Sequence, residues 1–256
     1  MILKAALRIG TRALIKLAKR LKIDARISEK AYNYIPAETQ LRNIMARRDF
    51  LEWLDEFIAW LALEKASKFY KLFKEKEFVI DGTSMKTNRL RETIRGGKKA
   101  LEKETIEVKF LFNINVDMYV YAEHSTSHDV DKAIRKLSRG DVVLGDTEFF
   151  NKKNCEKLLA KGIKPLIKPS RNAKRGVGIK HCRDMFEMRR YKRRKNGERG
   201  AKIFSDTIMQ YLDPNRRQGQ IKLMATAYNI KRLIKLTIKY TVIMRQVMAI
   251  KLTIQD

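Results

Sequence analysis

Apolar residues recur at two different spacings, and this divides the chain into two parts. Up to residue 76, apolar side chains return every three or four positions, with Leu54, Ile58 and Leu61 as the clearest series. This spacing is typical of helices that bury one face. Beyond Glu77 the apolar residues stand in short continuous runs instead. We therefore predict a helical N-terminal region over 1–76 and a second domain over 77–256.

The second domain has the alternation of strands and helices that is typical of an α/β fold. The predicted strands are 78–80, 108–116, 118–122, 141–144 and 165–168, and the predicted helices between them are 128–137 and 151–160. Gly162 fits the C-cap of the second helix. A long helix is predicted over 182–212, where Asp213-Pro214-Asn215 would stop it, and one or two further helices over 221–250.

Charge narrows the class of partner but says little about the fold. The chain has 57 Lys and Arg against 29 Asp and Glu, a net charge of +28. Such an excess favours polyanions, first nucleic acid, then an anionic membrane surface, then ribosomal RNA. With 44% hydrophobic residues the chain can bury a core, which favours a folded protein over global disorder.

The first 23 residues have the pattern of a basic amphipathic helix, with no acidic residue before Asp24. A transit peptide or a membrane-surface helix has a similar pattern. Lys or Arg recurs every few residues, which excludes a transmembrane span. We favour a folded helix that contacts DNA or the protein's own core. Cys155 and Cys182 do not have the spacing of a zinc site and are interpreted as buried thiols.

Two aspartates follow apolar strands and are candidates for a site. Asp81 comes directly after 78–80, and Asp146 comes directly after 142–145. Side chains at the carboxyl ends of strands project into the crevice of an α/β sheet, where ligands bind. The alternative is an ordinary turn, since Asp-Gly is a common turn dipeptide. For either aspartate taken alone, these two interpretations are equally good.

A third carboxylate is framed by cations on the predicted long helix. At about 100° per residue, Tyr191, Arg194 and Glu198 fall within roughly 60° of one another, and Lys202 joins the same stripe. A solvated face more often alternates its charges. A lone carboxylate among cations instead suits a metal ligand beside a phosphate backbone. Glu187 is the main rival, because eleven residues before Glu198 it lies on nearly the same face.

These motifs together resemble the DDE transposases of bacterial and archaeal insertion sequences, in the superfamily of insertion-sequence families four and five. Tyr191, Arg194 and Glu198 match its Tyr-x2-Arg-x3-Glu signature. The other matching segments are Asp81-Gly82-Thr83, Gly145-Asp146-Thr147-Glu148-Phe149 and His128-Asp129. The similarity covers about 77–212. Two positions depart from the family pattern: Glu148 replaces a glycine, and Ser205 replaces a lysine for which Lys202 is the candidate substitute.

The resemblance implies a ribonuclease-H-like mixed sheet flanked by helices, after an N-terminal helical region that binds DNA. It places Asp81 on the first strand, Asp146 after the fourth and Glu198 on the following helix. These three carboxylates would be catalytic and would bind two Mg²⁺ ions, which Mn²⁺ can replace. The implied reaction cleaves transposon ends and joins the freed 3′-hydroxyls to target DNA.

The resemblance also implies the partners. The DNA partners would be terminal inverted repeats and target DNA, contacted by Tyr191, Arg194, Lys202 and Arg175, the last in a basic loop over 170–178. A homodimer would pair the two ends. We expect a cytoplasmic, nucleoid-associated prokaryotic protein without a membrane partner.

Three alternatives stay open at the level of sequence. The first is an inactive or repurposed relative that binds DNA without cutting it. The second is a ribonuclease-H-like nuclease that cuts without strand transfer. A basic ribosomal-type protein is the third, and it is disfavoured because it would not need carboxylates at strand ends.

Overall fold

The structure is a computed structural model that describes residues 43–72, 75–95, 98–171 and 176–253. The predictions for residues 1–42 and for Arg175 lie outside the described residues. The first described helix, α1, spans Arg48–Trp60 and is followed by a π-helical turn (Leu61–Lys65) and a 3-10 turn (Ser67–Leu72). The domain boundary at residue 76 stays a prediction.

One mixed sheet of six strands forms the centre of the protein. The strands are β1 (Glu77–Arg95), β2 (Lys98–Asn113), β3 (Met118–His124), β4 (Val142–Gly145), β5 (Lys164–Ile167) and β6 (Ile208–Met209). Their order is β3-β2-β1-β4-β5, and the short β6 pairs with β1. The β1–β2 and β2–β3 pairs are antiparallel, whereas β4 and β5 are parallel to β1.

Helices flank the sheet on both sides. They are α2 (Asp131–Lys136), α3 (Lys152–Ala160), α4 (Val177–Asp184), α5 (Met188–Tyr191), α6 (Glu198–Ser205) and α7 (Pro214–Thr253). Two 3-10 segments, Thr147–Phe149 and Lys192–Gly197, connect some of these elements. This confirms the predicted α/β class and mixed sheet, and the strand order agrees with a ribonuclease-H-like fold.

The pleat of the strands sends alternate side chains to two separate cores. On one face, Ile80 and Val143 pack with buried residues of α3 and α4. On the other face, Val79 and Leu144 pack together, and neighbouring Phe112 packs with residues of α6 and α7. Both faces are covered, so the central strands are almost wholly apolar, as parallel strands in α/β folds are.

The N-terminal helix α1 packs onto the same sheet through α7. Asn229 of α7 is fully buried, and its side-chain amide donates to the carbonyl oxygens of Ile58 (3.2 Å) and Tyr119 (2.7 Å). Its side-chain oxygen accepts from the Tyr119 amide at 2.8 Å. One side chain thereby joins α1, β3 and α7, and all of its polar atoms are paired.

The predicted long helix over 182–212 is wrong. The chain there forms α4, α5, a 3-10 segment and α6, and ends in β6. Two glycines explain the close packing of this region on the sheet. A Cβ on Gly197 would come within 2.7 Å of Val79, and one on Gly200 within 2.9 Å of Phe112. Periodicity identified helical residues here but not the interruptions between them.

One predicted helix boundary is confirmed and one is wrong. Gly162, with a positive φ of 71°, follows α3 as predicted for a terminating glycine. Pro214 was expected to stop a helix but begins α7, where its missing N–H costs nothing. Asp213 caps this start by accepting from the Arg216 amide at 2.9 Å. Residues 221–250 therefore belong to one continuous helix.

Candidate active site

Asp81 of β1 and Asp146, the residue directly after the adjacent parallel strand β4, lie side by side. The register pairs Val79 with Leu144 and Ile80 with Gly145, so the two aspartates occupy the next position. Neighbouring strands are about 4.8 Å apart. Both carboxylates extend on the Val79 and Leu144 face, and both are partly buried. The prediction that Asp81 ends its strand is wrong, because β1 continues to Arg95.

Each carboxylate has one oxygen fixed by the backbone and one oxygen directed at the same cation. The Gly82 amide donates to Asp81 Oδ1 at 2.9 Å, and the Thr147 amide donates to Asp146 Oδ1 at 2.7 Å. Arg194 Nη1 lies 2.7 Å from Asp81 Oδ2, and Arg194 Nη2 lies 3.5 Å from Asp146 Oδ2. One guanidinium therefore bridges the two carboxylates.

The electrostatics at Asp81 show why a cation is held there. Burial raises the pKa of Asp81 above its usual value, and Arg194 opposes this by favouring the charged form. The negative charges of Asp146 and Glu148 raise the pKa of Asp81 further. Several carboxylates crowd one partly buried space, so positive charge between them is strongly stabilising.

Tyr191 accompanies Arg194 at this place. The guanidinium carbon of Arg194 lies 5.8 Å from the centre of the Tyr191 ring, within cation–π range. Phe186 packs against Tyr191, and the centroids of the two rings are 5.3 Å apart. The structure thus brings together four predicted residues, Asp81, Asp146, Tyr191 and Arg194. Tyr191 comes from α5 and Arg194 from the 3-10 segment that follows it, rather than from one helix face.

Glu198 lies over the same face of the sheet but is not part of this cluster. It is exposed and begins α6, directly after the close contact of Gly197 with Val79. Within the described part of the chain, no group of three or more His, Cys, Asp or Glu side chains is arranged to hold a metal ion. A triad of Asp81, Asp146 and Glu198 therefore stays a prediction.

The remaining predictions for the site concern Lys202, Glu187 and the basic loop over 170–178. Lys202 is exposed on α6, one turn beyond Glu198. Glu187 binds Lys164 at 2.8 Å, at the start of β5 and thus at the opposite end of the sheet from Asp146. That position disfavours Glu187 as the third carboxylate. Within the predicted basic loop over 170–178, the helix α4 already begins at Val177.

A buried lysine that was not predicted from the sequence lies behind the two aspartates. Lys109 of β2 is 3% exposed, and its Nζ lies 3.2 Å from both Glu148 Oε1 and His128 Nδ1. A Cβ on Gly82 would come within 2.7 Å of this Nζ, so the glycine after Asp81 leaves room for it. The available signal was a lone lysine inside the apolar run 108–112.

Exposed cations are frequent on the segment that carries Tyr191 and Arg194, although Arg193 is already paired with Glu77 and Arg199 with Asp117. The exposed cations are Arg189, Lys192, Arg193, Lys195, Arg199 and Lys202. Such a group neutralises a phosphate backbone well. Among the described helices, none is long and apolar enough to cross a membrane.

Residues 72–230 match a family model described as "Transposase DDE domain". The matched stretch covers more than half of the chain and contains the two aspartates, Arg194 and Glu198. Searches of curated proteins and of solved structures gave no match.

Proposed function

Since the chain belongs to the transposase DDE domain family, we propose that it cleaves DNA at transposon ends and joins the freed 3′-hydroxyls to target DNA. Within that family, the Tyr191, Arg194 and Glu198 spacing favours the superfamily of insertion-sequence families four and five. The observation that carries the proposal is the pair of aspartates on adjacent strands around one cation.

The donor set of the site fits divalent metal. Asp81 and Asp146 offer hard carboxylate oxygens, which Mg²⁺ and Mn²⁺ prefer, and already hold a positive group between them. We propose that they would hold two metal ions, with Glu198 as a third ligand from α6. When bound, such ions activate an attacking water or 3′-hydroxyl and stabilise the leaving oxygen.

The chain's own side chains would bind and orient the DNA. Arg194 can donate two parallel hydrogen bonds, and a DNA phosphate is as good an acceptor as a carboxylate. Tyr191 packs against it and would restrict its movement. Lys202 and the other exposed cations of this segment would neutralise phosphates. The N-terminal region would bind the terminal inverted repeats, and a homodimer at the prokaryotic nucleoid would pair the two ends.

Removal of metal tests this proposal directly. We expect the protein to nick DNA that carries the element's ends in the presence of Mg²⁺ or Mn²⁺, and not in the presence of a chelator. Nicking that is unaffected by the chelator would contradict the proposal, and binding without nicking would favour an inactive relative. Precut ends then separate transposase from plain nuclease, because only a transposase gives joined products.

Arg194 and a divalent metal would compete for the same two carboxylate oxygens. We expect Arg194→Met to bind Mn²⁺ more tightly than wild type in the absence of DNA. Charge-assisted hydrogen bonds contribute about 1.5–3 kcal/mol, so the gain is roughly tenfold to a hundredfold. Calorimetric titration measures it, with the exposed Lys195→Met as control. Weaker Mn²⁺ binding by Arg194→Met would show that the arginine does not occupy the metal position.

A further inference from the structure

We propose that the outer part of the β1–β2 hairpin, which we call the arm (Leu90–Arg95 and Lys98–Lys103), is a second DNA-binding element that lies in a groove of the duplex beside the cut. This inference rests on the proposed function for the identity of its partner. It adds a DNA-binding surface that lies outside the cluster around Asp81.

The arm is a two-stranded ribbon that extends beyond the sheet. Its register runs from Leu90 opposite Lys103 to Arg95 opposite Lys98. The third strands attach elsewhere: β4 at 77–80 of β1, β6 at 86–87 of β1, and β3 at 108–113 of β2. No third strand joins the arm in the described part of the chain. At about 3.3 Å per residue it extends some 17 Å.

The described part of the arm does not bury its leucines in a hydrophobic core that would stabilise it. Leu90 is 62% exposed and Leu101 is 70% exposed. Two-stranded hairpins are at best marginally stable in water, so a long exposed one is a costly feature unless it binds something. The register places Leu90 and Leu101 on one face, as diagonal neighbours.

The charge of the arm and its base fits DNA. Residues 86–105 contain seven Lys or Arg against three Glu, and their net charge per residue is about 1.8 times the average of the chain. The described exposed cations include Lys86, Arg89, Arg91 and Lys103. A two-stranded ribbon fits the major groove of B-DNA, where cations reach phosphates and apolar side chains contact thymine methyl groups. Leu90 and Leu101 supply that apolar surface.

The position of the arm along β1 sets its distance from the cut. Arg91 follows Asp81 by ten residues on the same strand, which is at most about 33 Å. At about 3.4 Å per base pair this corresponds to roughly ten base pairs. The base of the arm is also tied to the region of Glu198, because β6 follows α6 and pairs with Lys86 and Thr87. DNA in the candidate active site would therefore continue along the arm.

The salt dependence of DNA binding tests the arm together with Arg89 at its base. We expect the triple variant Arg89→Gln, Arg91→Gln, Lys103→Gln to lower the slope of log Kd against log salt by about three, because each phosphate contact contributes about 0.9. The matched control replaces three exposed lysines of α7, Lys231, Lys235 and Lys239, by Gln. We expect it to change the slope by less than about one. Equal changes in the two variants would overturn the proposal.

A crosslinking experiment separates DNA from a second protein copy as the partner. A photoreactive group on Leu101→Cys should give adducts with DNA, within about ten base pairs of the candidate cut. The same group on Ile238→Cys, an exposed position of α7, serves as control. Adducts between two protein copies with an unchanged salt slope would assign the arm to self-association and overturn the proposal. Absence of nicking by wild-type protein would overturn the proposed function, while these binding measurements would still decide the role of the arm.

Discussion

Asp146→Asn should reduce metal-dependent DNA nicking by about a thousandfold or more. Asparagine keeps the size of the side chain and an oxygen that can accept from the Thr147 amide, so the turn after β4 should stay folded. It removes the negative charge that a divalent ion requires. Metal ions contribute several kcal/mol to transition-state stabilisation, and each 1.4 kcal/mol is about tenfold in rate.

The measurement is the single-turnover nicking rate in Mg²⁺, together with the thermal unfolding midpoint of each variant. Asp184→Asn, an exposed aspartate at the end of α4, is the matched control and should keep the wild-type rate. A folded Asp146→Asn protein that nicks at the wild-type rate would remove Asp146 from the catalytic site. The same outcome would contradict the proposal that Asp81 and Asp146 together hold the metal.

Glu198→Gln tests the third predicted carboxylate, which lies outside the cluster around Asp81 and Asp146. If α6 delivers Glu198 to the metal when DNA binds, the loss should be as large as for Asp146→Asn. Glu187→Gln is its control, because Glu187 binds Lys164 at the other end of the sheet. Full activity of Glu198→Gln beside an inactive Asp146→Asn would restrict the essential carboxylates to Asp81 and Asp146 among these three.

The sheet could be predicted from the sequence because its strands carry a strong local signal. Runs such as 108–112 and 142–144 are apolar and β-prone, and the observed strands contain them. The outer half of β1 escaped prediction because it is polar, with exposed Arg89 and Arg91. A strand without a buried face has no hydrophobic alternation to reveal it. Its existence depends on pairing with β2, which is not a local property.

Four residues that lie together in the candidate site were named from the sequence, but the way in which the chain brings them together was not predicted. Asp81 and Asp146 could be expected near each other because each follows a short apolar run, although only β4 ends there and β1 continues to Arg95. Tyr191 and Arg194 do lie together, but not on the single long helix that the helical spacing predicts. Helical periodicity over a few turns survives in short helices and 3-10 segments, so it cannot locate their breaks. Arg194, which bridges both aspartates, lies in the 3-10 segment between two of these short helices.

The partners of Lys109 could not be predicted, because they come from distant parts of the chain. His128 precedes α2, and Glu148 follows Asp146 on the next connection. The sequence shows Glu148 only as a departure from the family's glycine. In the structure, this departure supplies the carboxylate that pairs with a buried ammonium group. Glu148 thereby links the turn that carries Asp146 to β2, behind the site.

Glu148→Gln should destabilise the protein more than Lys109→Met does. Lys109 is 3% exposed, and without Glu148 its nearest carboxylate is Glu107 at 3.7 Å. An ammonium group left buried with a weakened partner costs about 2–3 kcal/mol, less than a fully buried broken pair because Glu148 is itself 38% exposed. Lys109→Met removes the charge, and its apolar side chain fills the same space, so about 1 kcal/mol is expected.

Urea unfolding of both single variants and the double variant measures this asymmetry. The double variant Lys109→Met, Glu148→Gln should be about as stable as Lys109→Met alone, because the charge that made Glu148→Gln costly is then absent. Lys153→Met, which removes a lysine whose partner Asp129 is also exposed, should change the unfolding free energy by less than about 1 kcal/mol. Additive losses in the double variant would mean that Lys109 and Glu148 act independently. In that case the buried lysine would not hold the turn of Asp146 against β2.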